Sequence, residues 1–167
     1  MRTKKLVRCS LFAVLIGVAS QINIPIQPVP LNLGLLAVLV SSGIQGVKYG
    51  TFSAILYILL GCCGVPVFAS FRGGLGVIAD VTGGYILGYG ITALMSVLAR
   101  DKKLPIMLVL YALGVLFCYV TGTLWYVNLT GTSVPVAVSL CVIPFIPADI
   151  IKIIFGAFVT KKLKKLI

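Results

Sequence analysis

The chain has 167 residues, 60% apolar and 10% charged, and fourteen Lys and Arg against three Asp and no Glu leave a net charge of +11. Soluble domains carry roughly 45–50% apolar and roughly 25% charged residues, and so small a globule cannot hide this much apolar sequence, which excludes a soluble cytosolic protein. Intrinsic disorder needs low hydrophobicity and is excluded as well, so the remaining class is an integral membrane protein.

Apolar runs occur at about 6–22, 30–45, 48–64, 82–99, 104–127 and 146–160, near the ~20 residues that a membrane-crossing helix needs. The first opens on Arg2, Lys4, Lys5 and Arg8. More membrane sequence follows it with no clear small-residue cleavage site, so it reads as a retained helix and not a secretory signal. The second is short, flanked by Pro28, Pro30 and Gly46. A further apolar piece at 133–145, bounded by Pro135, Pro144 and Pro147, is too short to span alone. It reads as an interfacial segment, a re-entrant segment or the outer part of a bent final helix.

The basic residues alternate with these runs. Lys48 follows the second, Arg100, Lys102 and Lys103 follow the fourth, and Lys161, Lys162, Lys164 and Lys165 close the chain. Connections 23–29 and 128–132 carry no charge, and 65–81 carries Arg72 and Asp80. The positive-inside rule then predicts an all-α membrane protein of six transmembrane helices, with both termini cytoplasmic and one domain over residues 1–167. The charges cluster at span ends, so anchoring to an anionic inner leaflet explains them better than a nucleic-acid partner.

Small residues four apart permit close helix packing in lipid. Such rows are Ala13/Gly17, Gly46/Gly50/Ala54, Gly84/Gly88/Thr92/Ser96 and Gly114/Cys118/Gly122. Packing within the chain is the plain reading of each row, and contact with another subunit the sharper one. The glycine-rich outer loop 65–81, between the third and fourth helices, is apolar for an exposed connection and reads as a lid over an outward cavity. Asp149 and Lys152 lie three apart, on one helix face after Pro147. Ionisable groups inside a membrane mark functional sites by default, although a structural ion pair remains open. Tyr85, Trp125 and Tyr126 are either interface anchors or pocket walls.

Catalysis has little to work with. There is no His, and the carboxylate side chains are Asp80, Asp101 and Asp149. Cys9, Cys62, Cys63, Cys118 and Cys141 lack metal-site spacing and read as small membrane hydrophobes, with no disulfide expected. No metal, cofactor or catalytic residue is expected. No Gly-x-x-x-x-Gly-Lys-Ser/Thr loop is present, so active uptake needs energy from a partner.

The run Leu59-Leu60-Gly61-Cys62-Cys63-Gly64-Val65-Pro66-Val67-Phe68-Ala69, followed by Gly73-Gly74-Leu75-Gly76 and Thr82-Gly83-Gly84-Tyr85, resembles the BioY family. So do the tail Pro144–Lys152 and the early Ile24-Pro25…Pro28-Val29-Pro30. Two places depart from the family pattern: Asp80-Val81 stands where Gly-Pro is usual, and Asn32-Leu33-Gly34 where Thr-Leu-Gln is common. Both lie near the expected pocket or lid.

The resemblance implies the biotin-specific substrate-binding (S) component of an energy-coupling factor (ECF) transporter. Its partners would be a membrane coupling subunit and two ATPases, in a prokaryotic cell membrane. It implies that Ala13 and Gly17 meet the coupling subunit. On the chemistry of biotin, Asp149 accepts a ureido N–H, Lys152 meets the carbonyl or orients Asp149, and Arg72, on charge alone, reaches the carboxylate, with Ser70 and Tyr85 expected in the same site. The rival readings are another vitamin in the same transporter class and a solitary facilitator or ion-coupled carrier. A membrane enzyme is disfavoured by the missing His and scarce acids.

Overall fold

The computed structural model describes residues 2–165. Met1, Leu166 and Ile167, the ends of the expected domain, lie outside the described residues, as do the side chains of Arg2 and Val47. Each of the six apolar runs carries a helix: α1 Arg2–Gln21, α2 Gly34–Gln45, α3 Val47–Cys62, α5 Gly83–Ala99, α6 Leu104–Thr130 and α8 Ile146–Lys164. Between α3 and α5 lies the short α4, Leu75–Ala79, and between α6 and α8 lies α7, Val134–Cys141. The α6 helix and the combined stretch Val134–Lys164 are long and apolar enough to cross a membrane. Helices α2, α3 and α5 are apolar but shorter.

The ends of α6 follow from residue type. Pro105 sits in its first turn, where the missing N–H is not needed. Gly131 closes it at φ +68, with its N–H on Val127 O at 2.9 Å, a left-handed cap that glycine adopts without a Cβ clash. The piece 133–145 takes the third of its expected forms. A 3-10 turn at Ile143–Phe145 joins α7 to α8, so the two make a bent final helix around Pro144 and Pro147. One feature differs from expectation. The proline-rich connection before α2 pairs Asn23–Ile24 (β1) with Leu31–Asn32 (β2) as an antiparallel hairpin, so α2 starts four residues after the apolar run does.

The molecule carries its apolar side chains on the outside, among them Leu11, Val14, Leu116, Ile151 and Phe155, and buries Ser20, Ser42, Ser53, Thr92, Ser96 and Thr160. In lipid the outer solvent is itself apolar, and the polar groups must find partners within the protein. Thr92 does so by donating to Gly114 O at 2.9 Å, across α5 and α6.

The small-residue rows of these two helices face each other. A Cβ on Gly84 would lie 2.3 Å from Trp125 Cβ, one on Gly88 2.9 Å from Cys118 Cα, and one on Gly122 2.3 Å from Tyr85 Cδ1. A Cβ on Gly50 would stand 2.8 Å from Ser42 Cα. These rows therefore pack within the chain. The basic segments gather at one end: Lys164 binds Asp101 and the Arg100 carbonyl, and Lys5 lies over the Tyr49 ring at the start of α3.

Candidate ligand-binding site

Away from that basic end, α2, α3, α5, α6 and α8 surround a cavity with about 730 Å³ of empty space, its open mouth included. Its charged wall comes from α8. Asp149 and Lys152 are 4% and 7% exposed. Asp149 Oδ1 accepts from Lys152 Nζ at 2.7 Å, and Oδ2 accepts from the Tyr119 hydroxyl of α6 at 2.6 Å. Burial of a lone carboxylate is costly, and a cation plus a hydrogen bond offset that cost. Each carboxylate oxygen still has a lone pair to offer, so the wall can accept N–H groups from a ligand.

The opposite chemistry is aromatic. The Tyr57 and Tyr89 rings stack with centroids 6.2 Å apart, and Phe68 meets Tyr57 edge-on at 5.6 Å. The Tyr89 hydroxyl donates to Asn32 Oδ1 at 3.0 Å, and Gly34 N–H donates to the same atom at 2.9 Å. A backbone N–H can only donate, so the Asn32 carbonyl oxygen is held there. The Asn32 NH₂ makes no hydrogen bond among the described residues. Asn32 lines the cavity, which gives that wall a donor to offer a ligand.

The segment 63–82 closes over the top. Phe68 reaches down beside Gly61, where a Cβ would lie 2.0 Å from Phe68 Cζ, so a glycine is required for the ring to seat. Gln21, at the end of α1, clamps the segment, donating to Phe68 O at 3.1 Å and accepting Phe71 N–H at 2.8 Å. At the far side Arg72 Nη2 binds Asp80 Oδ2 at 2.5 Å, and Asp80 Oδ1 accepts Val81 N–H at 2.8 Å. The hydrogen bond from Arg72, and next the one from Val81, hold the Asp80 carboxyl below its usual range. Trp125 Nε1 donates to the Asp80 carbonyl at 3.1 Å, which ties the segment to α6.

Of the expected ligand residues, Asp149, Lys152, Arg72 and Tyr85 line this one cavity. Ser70 does not; its hydroxyl reaches Asn23 Oδ1 at 3.4 Å on the exposed side, turned there by a left-handed backbone at φ +61. Ala13 and Gly17 do not line it either. Ala13 is 0% exposed and Gly17 is buried, and a Cβ on Gly17 would lie 3.2 Å from Val67 of the covering segment. Both residues are thus packed within the chain. Cys118 and Cys141 line the cavity instead of facing lipid. Trp125 anchors the loop, and Tyr126 is buried in the core. Sequence reasoning passed over Tyr119, Tyr57, Tyr89 and Phe68. The available signal was a phenol in the middle of an apolar helix, where its hydroxyl needs a partner inside the protein.

A family model described as BioY family matches residues 1–167. The chain belongs to the BioY family. The biotin transporter BioY of Thermotoga maritima is 35% identical over 98% of this chain and 97% of its own length. A probable biotin transporter BioY of Pyrococcus horikoshii is 34% identical over 98% of both chains. A crystal structure of the S-component for biotin from an ECF-type ABC transporter superposes with a TM-score of 0.89, at 25% identity, over 98% of this chain and 92% of that one. Within this BioY chain, both departures noted in the sequence occupy structural posts. Asp80 supplies the carboxylate that holds Arg72, Val81 supplies an N–H to that carboxylate, and Asn32 supplies the Tyr89 partner.

Proposed function

We propose that this chain captures biotin in the cavity beside Asp149 and passes it inward as the S component of an ECF-type transporter, with a membrane coupling subunit and two ATPases supplying the energy. The observation that carries the reading is the buried Asp149–Lys152–Tyr119 cluster in the wall of an otherwise aromatic and apolar cavity, with Arg72 in its cover. Biotin has matching chemistry. Its ureido ring carries two N–H donors and a carbonyl, its thiophane ring and chain are apolar, and it ends in a carboxylate. Asp149 would accept the ureido N–H, and Lys152 or the Asn32 NH₂ would meet the carbonyl. Arg72 uses Nη2 on Asp80 and retains other N–H donors for the ligand carboxylate. Tyr85 and the Tyr57–Tyr89 stack would cover the rings.

The names of the relatives support this reading, as does the match to a biotin S-component. Six crossings in one multi-pass domain of a prokaryotic cell membrane, with both ends cytoplasmic, are part of the same proposal. The gathering of Lys5, Arg8, Arg100 and Lys164 at one end supports that orientation under the positive-inside rule. Calorimetric titration of the purified protein with a panel of vitamins tests the reading. Saturable heat with biotin alone supports it, and heat with another vitamin in place of biotin sinks it.

A further inference from the structure

We propose that the basic end of the molecule is a binding site for the phosphodiester headgroup of an anionic, hydroxyl-bearing lipid of the phosphatidylglycerol kind. The inference needs the membrane location and is independent of the biotin reading. At this end a groove encloses about 1120 Å³ of space, its open mouth included, and Lys5, Arg8, Arg100 and Lys164 line it. Lys164 alone of the four has a carboxylate partner among the described residues, Asp101. The Lys5 ammonium lies 5.6 Å from the Tyr49 ring centre, and no described residue sets an anion against its charge.

Two buried polar atoms of residues that line the groove lack partners among the described residues. Arg100 lies against Gly46, where a Cβ would come 2.9 Å from Nη1, and its Nε is buried without an acceptor. The Gln45 carbonyl oxygen is buried without a donor. The orientation of that amide is set by its other end. Ser53 donates its hydroxyl to Tyr49 O, so it must accept from Gln45 Nε2, at 2.8 Å. Unpaired buried groups are costly, and these two ask for different things. Arg100 needs an anionic acceptor, and Gln45 needs a hydroxyl or N–H donor. A phosphodiester carrying a glycerol hydroxyl supplies both once the two side chains turn toward the groove.

The remaining walls decide between a lipid and a free anion. Leu11, Phe12 and Ile44 complete the groove, and Leu11 is exposed on the outer face of α1. An acyl chain would cover this apolar side, whereas inorganic phosphate would leave it bare. Basic pockets between membrane helices are suited to anionic headgroups.

The test is the melting temperature of the purified protein in neutral detergent, with added phosphatidylglycerol, phosphatidylcholine or inorganic phosphate. Two double variants separate a site from general attraction. Lys5→Gln/Arg8→Gln removes two charges from the groove. Lys102→Gln/Lys103→Gln removes two exposed charges near the same end that do not line it. Phosphatidylglycerol alone should raise the melting temperature, and the rise should be largely lost in the first variant and kept in the second. Should the first variant fail to fold, Arg8→Gln alone is compared by native mass spectrometry for retained lipid, with less lipid expected than in the parent. An equal rise with phosphatidylcholine, a full rise with inorganic phosphate, or equal loss in both double variants would overturn the lipid site. Indifference to lipid combined with failed assembly with the coupling subunit in the first variant would reassign the groove to an acidic protein partner.

Discussion

Asp149 meets Lys152 and Tyr119 with one oxygen each, and this division makes its neighbours separable by mutation. Tyr119→Phe removes one donor and leaves Asp149 Oδ2 buried without it. Hydrogen bonds to charged groups contribute about 1.5–3 kcal/mol, so the ligand-free protein should lose stability of that order in a melting experiment. Biotin should restore part of the loss, because its ureido N–H would occupy the vacated acceptor. An unchanged melting temperature would show that the hydroxyl does not support the carboxylate. The sequence exposed Asp149 and Lys152 because charge is rare within apolar runs. It concealed Tyr119, since a lone tyrosine in an apolar helix does not show which neighbour takes its hydroxyl, and only the packing of α6 on α8 brings the phenol to the carboxylate. Ser70 misled for a related reason: residue type marks a polar group in the cover, but the backbone at φ +61 decides which way it points.

Among the elements, the facing of α5 on α6 was legible because excluded volume is written in residue type. Glycines at 84, 88 and 122 sit where a Cβ would collide with the opposite helix or its side chains, and one on Gly114 would stand tight against Met95 Cβ at 3.1 Å. The spacing of Ala13 and Gly17 showed equally well that one face of α1 is narrow, but not which neighbour fills it; beside Gly17 it is Val67 of the cover. The hairpin of β1 and β2 was hidden because its short strands lack an alternating pattern. The cover invites two tests. Gly61→Ala would displace the Phe68 ring, so biotin should dissociate faster in a washout measurement, and an unchanged release rate would mean that Phe68 does not retain the ligand. The Arg72–Asp80 pair is partly exposed and contributes roughly 0.2–1 kcal/mol. The folded Asp80 carboxyl lies below the ordinary 3.8, so its contribution is complete above that value and lost as pH falls through the lowered one. Release should therefore be insensitive to pH between about 8 and about 5, while Asp80→Asn should speed it at neutral pH. A marked acceleration already at about pH 6 would point to another titrating group.

For the whole molecule, the apolar exterior and polar interior follow from composition, and the gathering of basic residues at one end follows from their alternation along the chain. Cys63, exposed after α3, gives a direct test of orientation. A membrane-impermeant thiol reagent applied to intact cells should label Cys63 and spare the buried Cys9, and labelling only after the cells are opened would reverse the proposed orientation. The central claim, that Asp149 and Lys152 form the biotin site, is tested most directly by measuring biotin affinity and ligand-free melting temperature on Asp149→Asn and Lys152→Met. Loss of an ionic hydrogen bond of about 1.5–3 kcal/mol predicts that Asp149→Asn weakens binding roughly 10- to 150-fold. Lys152→Met should also weaken it, and both proteins should remain folded. Wild-type affinity in both variants, with lowered melting temperatures, would contradict the account and leave the pair as a structural bridge between α8 and α6.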